Sequence, residues 1–206
     1  KTPYPRDPGR IHVAPPALLA FTKMGLFGCT VTHTLPLDNV ERIEVLRGPN
    51  PVLHGSESFG GVVNIITRKA HKEFEGEVTA DAGSYNTQEF QVQAGGNKKP
   101  WDYYVTADYR SSGGHLDNSE FHGGNYTSRL GKQISDSLYA VLELTYFDGK
   151  KNEPLRSDAP AFPTSDVWNN YERGAADLSF EHLWNEWHST LKAYRNFGEH
   201  VFSDGW

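Results

Sequence analysis

Nine histidines, one cysteine and a run of alternating carboxylates are the residues of this 206-residue chain in which chemistry would first be sought. His54, Ser56 and Glu57 lie together, and a serine near a histidine and an acid is the material of nucleophilic hydrolysis. No strand-to-helix elbow frames Ser56, so a hydrolase triad is not expected there. His115 and His122 lie beside Asp117 and Glu120, and His182 and His188 flank a short turn. Neither set has the tight spacing of a zinc site, so no metal site is expected. Were the chain to meet haem or a metal chelate, His115, Asp117 and His122 would be the first contacts to consider. Glu73, Glu75, Glu77 and Asp81 recur at even intervals. Paired acids can serve a glycosidase, but a row of acids on one strand face is also what a wet wall permits. Gly48, Pro49, Gly55, Gly60 and Gly61 lack the strand–loop–helix setting of a phosphate loop and are expected in tight turns. Cys29 has no partner for an internal disulfide. The chain is therefore expected to have no catalytic residues and no cofactor, and not to be an enzyme.

Bulk properties narrow the classes further. A net charge of −6 with no basic stripe excludes a nucleic-acid binder. No apolar run approaches the roughly 20 residues of a membrane helix. The best candidate, Val13 to Phe21, is short and contains Pro15 and Pro16. A mean hydropathy of −0.61 does not exclude a membrane barrel, whose strands face lipid with only half their residues. Aromatics at 13 % and 20 glycines suit strands and turns better than helices.

The elements that must position these residues are strands. Arg42 to Arg47 predicts a short half-buried strand, ended by Gly48-Pro49. Val62 to Thr67 predicts a second, more apolar one. From Glu73 the period is two: Phe74, Gly76, Val78, Ala80 and Ala82 share one face, and the acids share the other. The same alternation predicts strands around Phe90 to Ala94, over Trp101 to Arg110, Asn125 to Gly131, Leu138 to Phe147, Tyr171 to His182 and Trp187 to Asn196, with another beginning at Val201. Short connections (Gly95 to Pro100, Lys132 to Ser137, Leu183 to Glu186) alternate with long polar ones (Ser111 to Gly124, Asp148 to Asp166). Short turns at one end and long loops at the other is the pattern of an outer-membrane barrel.

The strings VERIEVLRGP, LHGSESFGG and VVNIITRK, between Val40 and Lys69, resemble the end of the plug domain of TonB-dependent outer-membrane receptors. That resemblance implies a mainly β fold in which an N-terminal plug fills a transmembrane barrel of roughly 22 strands. It implies residence in the bacterial outer membrane and import of a bulky ligand such as a siderophore-iron complex, haem or cobalamin. It also implies an energy-transducing partner, the TonB complex, acting through sequence N-terminal to these strands. Residues 1–34 are left unassigned, 35–70 are expected to be the C-terminal part of the plug, and 71–206 the first strands of an antiparallel up-and-down barrel. Seven or so strands are too few to enclose a plug, so the chain is expected to be a fragment. Arg42, Glu44, Arg47 and Arg68 are expected between plug and wall, with Arg42 and Arg47 pairing with Glu75, Glu77 or Asp81. A small passive or adhesive barrel is the alternative reading, and a soluble β-sandwich a third.

Overall fold

The computed structural model describes residues 40–47, 61–154 and 167–204. Strands β1 (Val40–Arg47) and β2 (Gly61–Thr67) pair antiparallel as a two-stranded sheet. A second sheet holds seven antiparallel strands in sequence order: β3 (Glu75–Gly83), β4 (Thr87–Lys98), β5 (Trp101–Ser112), β6 (Phe121–Ser135), β7 (Leu138–Asn152), β8 (Val167–Trp184) and β9 (Trp187–Asp204). Each strand pairs with the one before it, which is the up-and-down meander of a barrel wall.

The burial of this wall is inverted relative to a water-soluble sheet. Val78 is 66 % exposed, Phe74 68 %, Leu144 43 % and Leu142 37 %, whereas Asp108 is 3 % exposed and Arg129 4 %. On β5 the outward set is Trp101, Tyr103, Val105 and Tyr109, and the buried set is Tyr104, Thr106 and Asp108. In water, this outward apolar area would forgo the gain of about 25 cal/mol per Å² that burial brings. Against hydrocarbon that penalty vanishes, and the polar inward face keeps company with other polar groups. The wall is the partial transmembrane β-barrel that the alternation predicts.

Aromatic side chains mark both edges of the apolar band. At the short-turn end, two hairpins close on tryptophan: Lys98 faces Trp101 and Trp184 faces Trp187. At the loop end the Tyr126 and Tyr146 rings lie 6.4 Å apart, and Phe197 covers Gly174. Beyond this second belt most outward positions are polar, with Asp148, Lys150, Asn170, Glu172 and Glu199, although Trp168 and Val201 also lie there.

The structure lengthens several predicted strands. β6 begins at Phe121 and includes His122, Gly123 and Gly124, which the sequence places in a loop. A Cβ on Gly123 would meet the Phe147 ring and the β7 backbone at 3.2 Å, and one on Gly124 would meet the Asp108 carbonyl and the Tyr126 hydroxyl at 3.2 Å. Gly95 likewise belongs to β4 and not to a turn. β8 and β9 each run 18 residues, and no new strand starts at Val201 because pairing continues through Gly198 opposite Arg173. A lipid-spanning strand needs only about 9–11 residues, so these strands rise past the membrane at the loop end. Polar and apolar residues mix on both faces there, with Trp168, Tyr171, Val201 and Phe202 among asparagines and acids, and the alternation that marks a strand in the sequence fades. Gly61 is the first residue of β2, opposite Arg47, not a turn residue. Gly48, Pro49, Gly55 and Gly60 lie outside the described residues, as do His54, Ser56 and Glu57.

Candidate functional site: the seam between the two sheets

β2 delivers its C-terminal end to the inner face of the wall. Ile66 is buried, and the next residue, Thr67, donates its hydroxyl to Glu143 Oε1 on β7 at 2.9 Å. Arg68 Nη1 donates to Gln93 Oε1 on β4 at 3.3 Å, while its Nε donates to the Val40 carbonyl of β1 at 3.3 Å. One guanidinium thus joins the start of β1, the end of β2 and the wall.

The wall residues that receive these bonds are held by their own partners. Gln93 donates through Nε2 to Glu77 Oε2 at 2.6 Å and accepts from the Tyr104 hydroxyl at 2.8 Å. Arg129, opposite Glu143 in the register, pairs with Asp102 through Nη1, donates to Tyr139 Oη at 2.8 Å and lies 3.8 Å from Glu143. Tyr139 in turn donates to Asp102 Oδ2. A buried guanidinium needs acceptors and counter-charge: Asp102 and the Tyr139 phenol accept its hydrogen bonds, and Glu143 at 3.8 Å adds negative charge. Gly131 makes the arrangement possible, since a Cβ there would collide with Tyr139 Oη and the Asp102 carboxylate.

The connection from β2 to β3 is pinned to the same wall. Ala70 is 2 % exposed and packs against Gly95, where an added Cβ would come within 3.0 Å of it. Asn97 holds the connection twice: its backbone N–H donates to the Lys72 carbonyl at 2.8 Å and its Nδ2 to the Ala70 carbonyl at 3.3 Å. Between the sheets remains a polar cleft of about 390 Å³, lined by Val40, Glu41, Arg68, His71, Glu77 and Gln93 among others.

Residues 25–62 match the TonB-dependent receptor plug domain, and this stretch runs directly into β2. The chain is 41 % identical over 71 residues to an iron-regulated outer membrane virulence protein of Vibrio cholerae, covering 34 % of this chain and 10 % of that one. It is 30 % identical over 135 residues to a vitamin B12 transporter of Photobacterium profundum, covering 61 % of this chain and 22 % of the relative. The crystal structure of the Pseudomonas aeruginosa ferripyoverdine receptor bound to ferripyoverdine superposes with a TM-score of 0.69 at 18 % identity, over 82 % of this chain and 26 % of that one. The chain carries TonB-dependent receptor plug sequence at residues 25–62. It spans between a tenth and about a quarter of the length of these relatives, and its place is the outer membrane. The family is one of receptors and transporters, not of enzymes.

In this receptor sequence the predicted site residues separate into two groups. Arg68 and Glu77 lie at the seam, joined through Gln93, and Glu75 lines the cleft. Arg42 does not pair with Glu75, Glu77 or Asp81. Its ion pairs are with Glu41 at 3.2 Å and Glu44 at 2.9 Å, on its own exposed strand. Carboxylates one and two residues away are within reach before any wall residue is. The hydrogen bond from Arg42 to Glu44 raises the guanidinium pKa above its ordinary value, partial burial opposes this, and the charges of Glu44 and Glu41 add to the rise. The Arg47 side chain lies outside the described residues. Asp81 sits toward the other end of β3, opposite Glu89, well away from the seam.

His115 and Asp117 are exposed in the loop between β5 and β6, with the His115 ring edge-on to Tyr85 at 6.1 Å. His122 is a strand residue opposite Lys150 and is not part of that loop. Among the described residues no three His, Cys, Asp or Glu side chains are grouped to hold a metal. Sequence reasoning missed Thr67, Gln93, Asp102, Arg129, Tyr139 and Glu143 as a connected set. The available signal was a lone inward charge on an otherwise apolar or small-residue strand: Glu143 among leucines and Arg129 between serine and leucine.

Proposed function

We propose that this sequence forms the plug–wall seam of an energy-coupled importer for a bulky ligand of the siderophore-iron, haem or cobalamin class. The ligand is captured at the loop end. The TonB complex then pulls on sequence N-terminal to these strands, the plug rearranges, and the ligand passes between plug and wall. Loop 113–120 and the sequence between β7 and β8 are the proposed capture surfaces, because loops on a rigid scaffold commonly carry binding.

The carrying observation is how β2 is held. Among the described residues, the end of β2 and the residue after it reach the wall's polar side chains through two single hydrogen bonds, Thr67 to Glu143 and Arg68 to Gln93. A bond of this kind to a charged group contributes about 1.5–3 kcal/mol, and water can replace it. Such a seam holds the plug at rest and yields to a directed pull. The names of the relatives, a vitamin B12 transporter and a ferripyoverdine receptor among them, support the same ligand classes.

The test is uptake by a receptor-deficient bacterium carrying the full-length protein, with labelled ferric siderophores, haem and cobalamin, in the presence and absence of TonB. Uptake of one class with TonB and none without it is expected. Uptake that persists without TonB would replace this reading with a passive barrel.

A further inference from the structure

The outward face at the short-turn end carries a feature that plug, seam and import leave unused. Lys98 on β4, Trp101 on β5 and Lys132 on β6 are directly opposite one another in the register. All three share the outward parity of Val92, Val105 and Leu130. They form one cross-strand row, lysine–tryptophan–lysine, immediately below the apolar band. Trp101 is 44 % exposed, and both lysines are exposed. The Lys132 ammonium lies 4.5 Å from the centre of the Trp101 ring, and Lys99 adds a further cation in the adjoining turn.

We propose that this row is a docking site for the headgroup of an anionic phospholipid in the leaflet at the short-turn end. A tryptophan at the edge of the apolar band sits at the level where acyl chains meet headgroups. Lysine stems lie along apolar surface while their ammonium groups reach the phosphate layer. The two lysine positions flank the indole across two strand spacings, or roughly 10 Å, within reach of one headgroup and its phosphate. The charge selects the occupant. The acid nearest in sequence, Asp102, points inward and is bound by Arg129 and Tyr139, so it does not neutralise the row. The loop-end outward face carries the opposite sign at the corresponding height, where Asp148, Glu172 and Glu199 are aligned across β7, β8 and β9. An anionic lipid is thus favoured at one end of the wall and disfavoured at the other.

The full-length receptor in detergent would be titrated with phosphatidylglycerol and, separately, phosphatidylcholine, and the bound lipids counted by native mass spectrometry. The wild type is expected to retain phosphatidylglycerol in preference to phosphatidylcholine. The K98Q/K132Q double variant is expected to lose about 30-fold in affinity for the anionic lipid, given what each lysine near an anionic surface contributes. K150Q is the internal control, because Lys150 makes a similar contact with Trp168, at 4.8 Å, at the loop end. Folding of each variant is read from its heat-modified migration in SDS gels. Equal retention of both lipids by the wild type, or an equal loss in K150Q and K98Q/K132Q, would overturn the proposal.

Discussion

Two glycines with the same steric problem are expected to respond oppositely to alanine. A Cβ at Gly131 would collide with Tyr139 Oη and the Asp102 carboxylate, and one at Gly174 would collide with the Phe197 ring. Phe197 is half exposed on the lipid side and can rotate away into hydrocarbon at little cost. Tyr139 and Asp102 cannot move without releasing Arg129, which is 4 % exposed and has its remaining carboxylate, Glu143, at 3.8 Å. Breaking a buried pair and leaving its charge uncompensated costs about 3–5 kcal/mol. Gly131→Ala is therefore expected to destabilise the full-length receptor by about 3–5 kcal/mol, read as a lowered urea midpoint multiplied by the measured slope. Gly174→Ala is expected to be neutral or slightly stabilising, since replacing a strand glycine recovers roughly 0.5–1 kcal/mol of backbone entropy. Unfolding of lipid-reconstituted protein, followed by tryptophan fluorescence, would measure both. Equal shifts for the two variants would refute the claim that Gly131 exists to seat the Arg129 network.

Other outcomes follow from the same geometry. A double-mutant cycle of Thr67→Val and Glu143→Gln is expected to show coupling of about 1 kcal/mol or more, as a charge-assisted bond should, and additivity would remove Thr67 from the seam. Arg42→Ala is expected to leave ligand uptake unchanged and to cost under about 1 kcal/mol, because its pairs are exposed and local; a clear uptake defect would return Arg42 to the plug–wall contact. Leu144→Arg should destabilise the wall by about 2–4 kcal/mol because it places a charge against lipid, whereas Thr145→Arg on the inner face should cost less. The reverse order in a folding titration into lipid vesicles would invert the wall.

The membrane wall was legible from the sequence because its cause is local. Lipid on one side and polar groups on the other impose a two-residue period, and Phe74 to Ala82, Trp101 to Tyr109 and Leu138 to Tyr146 each display it within a single strand. The plug signature was legible because its glycines, proline and apolar runs are contiguous. Strand ends were not legible where β6, β7, β8 and β9 rise beyond the lipid, since nothing there requires the outward positions to be apolar. Of the seam, the sequence singled out Arg68 and Glu77 but not the residues that join them. Thr67 and Glu143 are 76 residues apart, and Arg129, Asp102 and Tyr139 come from three strands. Each inward charge is visible as an exception to its strand, but the identity of its partner depends on the register of every hairpin between them. Only the assembled sheet sets that register. It is also why Arg42, which looks from the sequence like a bridge to the wall, folds onto its nearest neighbours, while the neutral Gln93 and Thr67 make the contact.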